Sequence, residues 1–126
     1  MRAFQWNFVA EPQAVQAARH RVDELELEGA ARRLLTLLVS ELVTNSVRHA
    51  AGSSIGLAVE IDDGMARVEV IDAGAGFAPP PAPRPGEQRP SGWGLYLVER
   101  FADRWGVSAD GPTCVWFEID RDRSAA

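Results

Sequence analysis

A single α+β domain is the fold class that the sequence predicts, on three observations. The chain has 126 residues, 46% hydrophobic and 25% charged, which suits one sizeable core and argues against a second domain. Residues 30–50 carry apolar side chains at helical spacing, and a helix of roughly twenty residues spans ~30 Å, the width of a small domain. Residues 55–61 and 65–71 are strand-like runs joined through Asp62-Asp-Gly64, a turn signal of the hairpin kind.

The other elements follow in chain order. Residues 2–9 read as a first strand. Pro12 sits where a helix can start, because a first-turn residue needs no N–H partner, and a short helix through Val22 follows. Gly52-Ser-Ser54 ends the long helix. Residues 77–91 hold six of the eight prolines, and such a segment is neither interior helix nor central strand, so it reads as a loop. Residues 94–104 read as a third helix, and 105–109 and 113–119 as two closing strands before a polar tail.

Composition excludes several function classes. A formal charge of −5 repels phosphate polymers, which argues against general attraction to nucleic acid or to an anionic membrane. No run approaches the ~20 apolar residues that span a bilayer, and the N-terminal residues lack a signal-peptide core, so a cytoplasmic location is expected. The single Cys114 allows neither a disulfide framework nor a cysteine zinc cluster within one chain, and its apolar surroundings predict a buried structural thiol. All thirteen basic residues are arginine, which excludes a Walker-type P-loop and its lysine. Phosphate would have to be met by arginine, by helix N-termini or by a metal ion.

Three short segments carry the chemistry. Glu41-Leu-Val-Thr-Asn45 lies within the long helix, where Leu34, Leu38, Leu42, Leu35 and Val39 form an apolar arc at ~100° per residue. Asn45 falls between Leu34 and Leu38 on that arc, Glu41 lies ~40° from it at the edge, and His49 lies ~40° beyond on the other side. An unpaired polar group on a buried face costs roughly 1–3 kcal/mol, so these side chains should meet a ligand, a metal, water or each other. Asn offers a neutral oxygen to a hard cation, and a Glu one turn away can position a nucleophile or accept its proton. Asp72-Ala-Gly-Ala-Gly76 follows a strand; its glycines let the backbone turn sharply beside a planar ligand, and its carboxylate can accept from an adenine amino group. Gly92-Trp-Gly-Leu95 opens a helix, where free N–H groups and the dipole favour phosphate. A structural hydrogen-bond network, plain turn punctuation and an ordinary helix start would each account for one segment alone. The fixed order of all three favours a nucleotide site.

In that order the segments resemble the N, G1 and G2 boxes of the GHKL ATPase superfamily, over nearly the whole chain. Ser40-Glu-Leu-Val-Thr-Asn-Ser-Val-Arg-His-Ala50 further resembles the anti-sigma factor serine/threonine kinases. The resemblance implies a two-layer α/β sandwich, with a mixed, mostly antiparallel sheet against three helices, as one domain over residues 1–126. It implies ATP and Mg²⁺ as cofactors, Asn45 as the metal ligand, Glu41 as the catalytic carboxylate and Asp72 as the adenine anchor. Gly74 and Gly76 match the adenine-side turn, and Gly92, Gly94 and Leu95 the phosphate-side turn. Residues 77–91 correspond to the ATP lid, with Arg84 and Arg89 as phosphate contacts. Thr113 matches a threonine that reaches the adenine pocket, although this chain has Pro112 where the family usually has glycine. His49 matches a position often basic, where a hydrogen-bonded helix residue is expected, and Trp93 sits where it could touch the lid.

Absences narrow the relatives. The sequence shows no phosphoacceptor-histidine helix pair before the domain and no transducer segment after it, which argues against a complete sensor histidine kinase and against gyrase-like members. The expected function is an ATP-dependent serine/threonine protein kinase that binds and phosphorylates a protein partner, a sigma factor or its antagonist, with a homodimer through the sheet as the family's common assembly. The alternative is a non-catalytic ATP-binding switch that engages the same kind of partner. A third reading, in which residues 79–85 serve as a polyproline ligand, leaves the three boxes unexplained.

Overall fold

Period-two alternation in the strands decides which face of the sheet is covered. Ile55, Leu57, Val59 and Ile61 are buried, as are Ala66, Val68 and Val70, while the residues between them are half-buried or exposed. The computed structural model describes residues 1–50, 52–72, 93–108 and 112–122. In chain order these form β1 (Arg2–Val9), α1 (Gln13–Asp23), α2 (Gly29–His49), β2 (Ser54–Ile61), β3 (Met65–Asp72), α3 (Trp93–Phe101), β4 (Arg104–Ser108) and β5 (Thr113–Asp120).

The strands form one sheet in the order β1-β2-β3-β5-β4, and every ladder is antiparallel. The two-layer α+β sandwich expected from sequence is present. The parallel pairing of a mixed sheet does not occur among the described residues. Helix α1 packs on α2 and β1, α2 crosses β3 and β5, and α3 lies against α2 and β4. Cross-strand neighbours stack the core in layers, with Val59 opposite Val68 and Val68 opposite Phe117. Leu35, Leu38, Val39 and Val43 of α2 close that core from above. Truncating one such leucine to alanine would cost about 2–5 kcal/mol, so α2 is held rigidly against the sheet.

Local chemistry sets the ends. The Asp62 carboxylate accepts the N–H groups of Gly64 at 2.9 Å and Met65 at 2.8 Å, which closes the hairpin and holds its carboxyl below the usual range. Gly52 has φ +84°, and its N–H donates to the Ala10 carbonyl at 3.0 Å, tying the exit of α2 to the end of β1. Helix α3 stops at Phe101, three residues short of the expected Arg104. The Asp103 N–H donates to the Glu118 carbonyl instead of continuing the helix, and the Asp103 carboxylate accepts the Asp120 N–H at 2.6 Å. Arg104 therefore opens β4, where its guanidinium pairs with Glu118.

The far face of the sheet carries polar and aromatic residues. Arg67 stacks over Trp116 at 4.2 Å from the ring centroid and pairs with Glu118 at 3.2 Å and Glu69 at 3.1 Å. Cys114 is half-buried on this face, so the expected buried thiol is not found. The strand's inward positions are taken by Thr113, Val115, Phe117 and Ile119, and the parity of the register turns Cys114 outward. Partial burial still pushes its thiol pKa up.

Candidate nucleotide-binding site

The buried stripe of α2 comprises Ala31, Leu35, Leu38, Val39, Leu42, Val43 and Ser46. Leu34 is only half-buried, so the stripe is rotated by about 40° from the arc read off the sequence. The rotation follows from the sheet, which takes the face centred between Leu35 and Val39. Glu41 and Asn45 are thus half-buried on the shoulder of α2, not on its sheet-facing stripe. His49 is exposed in the last turn.

That shoulder is where α3 begins. A Cβ on Gly94 would lie 3.4 Å from the Glu41 carbonyl oxygen and 3.4 Å from Leu42 Cδ2, so the buried Gly94 brings the first turn of α3 against α2 at Glu41. Leu95 and Val98 bury the next turn of α3. Neither Glu41 nor Asn45 makes a side-chain hydrogen bond or ion pair among the described residues, although they sit one turn apart beside a helix N-terminus. Their neighbours on α2 behave differently. Thr36, Ser40 and Thr44 each donate to the carbonyl four residues back, at 2.9, 2.7 and 2.7 Å, and are satisfied within the helix.

Asp72 is the last residue of β3 and lies opposite Thr113, the first of β5. Both share the parity of the core-facing residues, which puts them on the helix side of the sheet. There the Ser46 hydroxyl donates to Asp72 Oδ2 at 3.1 Å. Pro112 is exposed just outside the ladder, and the register runs unbroken to Thr113, which is 6% exposed. The replacement of glycine by Pro112 thus leaves the Asp72–Thr113 pairing intact. The structure places Glu41 and Asn45 on the C-terminal half of α2, Gly94 of α3 against α2 at Glu41 and Leu42 with Leu95 next to it, and Asp72, paired with Thr113, beside Ser46 of the same half. The positions expected of Gly74, Gly76, Gly92, Arg84 and Arg89, and the segment 77–91, lie outside the described residues, as does the Trp93 side chain.

Sequence reasoning missed Ser46. It falls between Leu35 and Val39 on the wheel, toward the Val39 side of the apolar arc, and a lone hydroxyl there is the available signal. An open groove of about 820 Å³ at the opposite end of the sheet, lined by residues such as Glu26, Arg32 and Arg121, is a less suitable nucleotide site. Its guanidinium groups are engaged, Arg32 by Asp23 at 3.1 Å and Arg121 by the Glu26 carbonyl at 2.9 Å.

The family model for the histidine kinase-like ATPase domain matches residues 8–119, and the chain belongs to that family. No curated protein matches the chain. Among solved structures, it is similar to the RsbU and RsbW domains of Rv1364c from Mycobacterium tuberculosis, with a TM-score of 0.73 and 20% identity over 99% of this chain. The match spans 34% of that longer chain, about a third of its length. It is also similar to the Acinetobacter baumannii histidine kinase AdeS, with a TM-score of 0.56 and 18% identity over 98% of this chain and 70% of that one. These likenesses establish the fold. No helix among the described residues is long and apolar enough to cross a membrane.

Proposed function

We propose that this chain is an ATP-dependent serine/threonine protein kinase that binds and phosphorylates a regulatory protein partner, a sigma factor or its antagonist. The observation that carries this reading is the pair Glu41 and Asn45, half-buried and unpartnered among the described residues, where α3 meets α2. The resemblance to anti-sigma factor kinases and the fold likeness to a chain with an RsbW domain support it.

In this reading Asp72 accepts from the adenine amino group, with Thr113 beside it. The turn at Gly92, Gly94 and Leu95 presents N–H groups to the phosphates, and Gly74 and Gly76 shape the adenine side. Residues 77–91 take the place of the lid, with Arg84 and Arg89 toward the phosphates, in a single ATPase domain over residues 1–126. Asn45 fits Mg²⁺, because its oxygen is neutral, hard and without a protein partner among the described residues, and phosphate oxygens and water would complete the coordination. Mg²⁺ held by Asn45 would supply neutralisation of the phosphate charge while the γ-phosphoryl group passes from ADP, the leaving group, to the partner's hydroxyl oxygen. Glu41 orients the partner's hydroxyl toward the γ-phosphorus and takes its proton.

The test is incubation with γ-labelled ATP and Mg²⁺ beside the protein encoded by the neighbouring gene. Label on that partner is expected, and Glu41→Ala should reduce it by roughly 10²-fold or more while ATP affinity is kept. Parent-like labelling by Glu41→Ala would refute the catalytic role. Tight ATP binding with no labelled protein would favour the non-catalytic switch.

A further inference from the structure

We infer that Ser46 is the positioning residue that orients Asp72 and thereby sets the preference for adenine, an assignment that rests on Asp72 being the adenine anchor. Two observations carry it. Among the described residues the buried polar side chains are Ser46 and Thr113, each 6% exposed, and they flank the same carboxylate. Ser46 also departs from the habit of its own helix. Thr36, Ser40 and Thr44 give their hydroxyl protons to the preceding turn, whereas Ser46 donates to Asp72 Oδ2 at 3.1 Å, across from α2 to β3.

The physical consequence is directional. A carboxylate at a strand end can turn about its Cβ–Cγ bond, and recognition of an exocyclic amine needs a carboxylate oxygen held in the plane of the base. A hydroxyl donor on Oδ2, fixed in the last turns of a helix that the core holds rigidly, restricts that rotation. Hydrogen bonds to ionised acceptors are the stronger kind, and the surrounding burial limits competition from water. Because Ser46 lies on the sheet-facing stripe, one residue from Asn45 but ~100° around the helix, it acts on the base end of the nucleotide and not on the phosphates or the metal.

The experiment is a double-mutant cycle on the full chain, read by calorimetric titration with ADP and GDP and by phosphoryl-transfer kinetics. Ser46→Ala should weaken ADP binding about tenfold, narrow the ADP-to-GDP preference by a similar factor, raise KM for ATP and leave kcat at saturating ATP unchanged. In an Asp72→Asn background, Ser46→Ala should add little further loss. A parent-like ADP-to-GDP preference in Ser46→Ala, or losses that add in full, overturns the positioning role while Asp72 stands. If Asp72→Asn itself leaves that preference unchanged, the adenine-anchor reading fails and this inference with it. Ser46→Cys keeps the shape with a much weaker donor, and it carries the same test if the alanine variant does not fold.

Discussion

Gly94 offers the sharpest test of how α2 and α3 build the site. Its absent side chain sets their separation, since a Cβ there would sit 3.4 Å from both the Glu41 carbonyl oxygen and Leu42 Cδ2. Gly94→Ala puts one carbon at ordinary contact distance and gains up to about 1 kcal/mol of helix propensity, so its stability should stay within about 1 kcal/mol of the parent. Gly94→Val adds two γ-carbons ~1.5 Å beyond the Cβ, and at least one must enter the space held by the Glu41 backbone or by Leu42, which is 2% exposed. Overpacking of this kind costs about 1–3 kcal/mol and is relieved only if α3 moves away from α2. Urea unfolding followed by tryptophan fluorescence would read the stability, and calorimetric titration with ADP would read the site. The valine variant should lose stability by that amount and bind ADP at least tenfold more weakly, with alanine close to the parent in both. A valine variant as stable as the alanine one, with parent-like ADP affinity, would refute the close approach as the reason for glycine.

Other expectations follow from single contacts. Glu41→Ala should raise the unfolding free energy modestly, by about 0.5 kcal/mol, and the urea midpoint with it, because it removes a half-buried carboxylate without a partner among the described residues and adds a better helix former, while phosphoryl transfer is lost. Asn45→Ala should leave stability nearly unchanged but abolish the Mg²⁺ dependence of ATP binding in the same titration. Gly106→Ala should destabilise by about 1–3 kcal/mol and shift tryptophan emission, since its Cβ would lie 2.6 Å from Trp116 Nε1 and force the ring off Arg67. Glu118, 13% exposed, has its carboxyl held below the ordinary 4.5, first by the Arg104 guanidinium and then by Arg67. A depressed carboxyl contributes stability above its unfolded pKa and loses it as pH falls through the folded one, so Glu118→Gln should lower the urea midpoint at neutral pH and match the parent only once pH has fallen below the depressed folded pKa, where both states are protonated.

Local signals placed the elements well where periodicity and turns decide them. The long helix expected over 30–50 is Gly29–His49, and the hairpin through Asp62-Asp-Gly64 joins Met65–Asp72 to its partner as read. The errors are non-local. Residues 102–104 continue a helical pattern by propensity, yet the Asp103 N–H is claimed by Glu118, fifteen residues further on. The rotation of the buried stripe on α2 depends on which strands lie beneath it, and no wheel drawn on one helix contains that information. The candidate site was legible in the same proportion. Asp72 and Thr113 are legible through the resemblance and adjacent through the ladder, whereas the Ser46 bond joins residues 26 apart in sequence.

The arrangement on α2 explains how one helix can serve both the core and a site without one function spoiling the other. Leu35, Leu38, Val39, Leu42 and Val43 are committed to burial, and replacing any of them would disturb the whole sandwich. Glu41 and Asn45, set on the shoulder, contribute little to that burial and make no partner among the described residues, so their chemistry can be directed outward. Leaving polar groups half-buried and unpaired is unfavourable for folding, and such local departures from the stability optimum are expected where a ligand completes the contacts. Ser46 joins the two regimes: it occupies a core position on the stripe, yet its hydroxyl donates to Asp72 of the candidate site. The rigidity that packing gives α2 therefore reaches Asp72 through the Ser46 hydrogen bond of 3.1 Å.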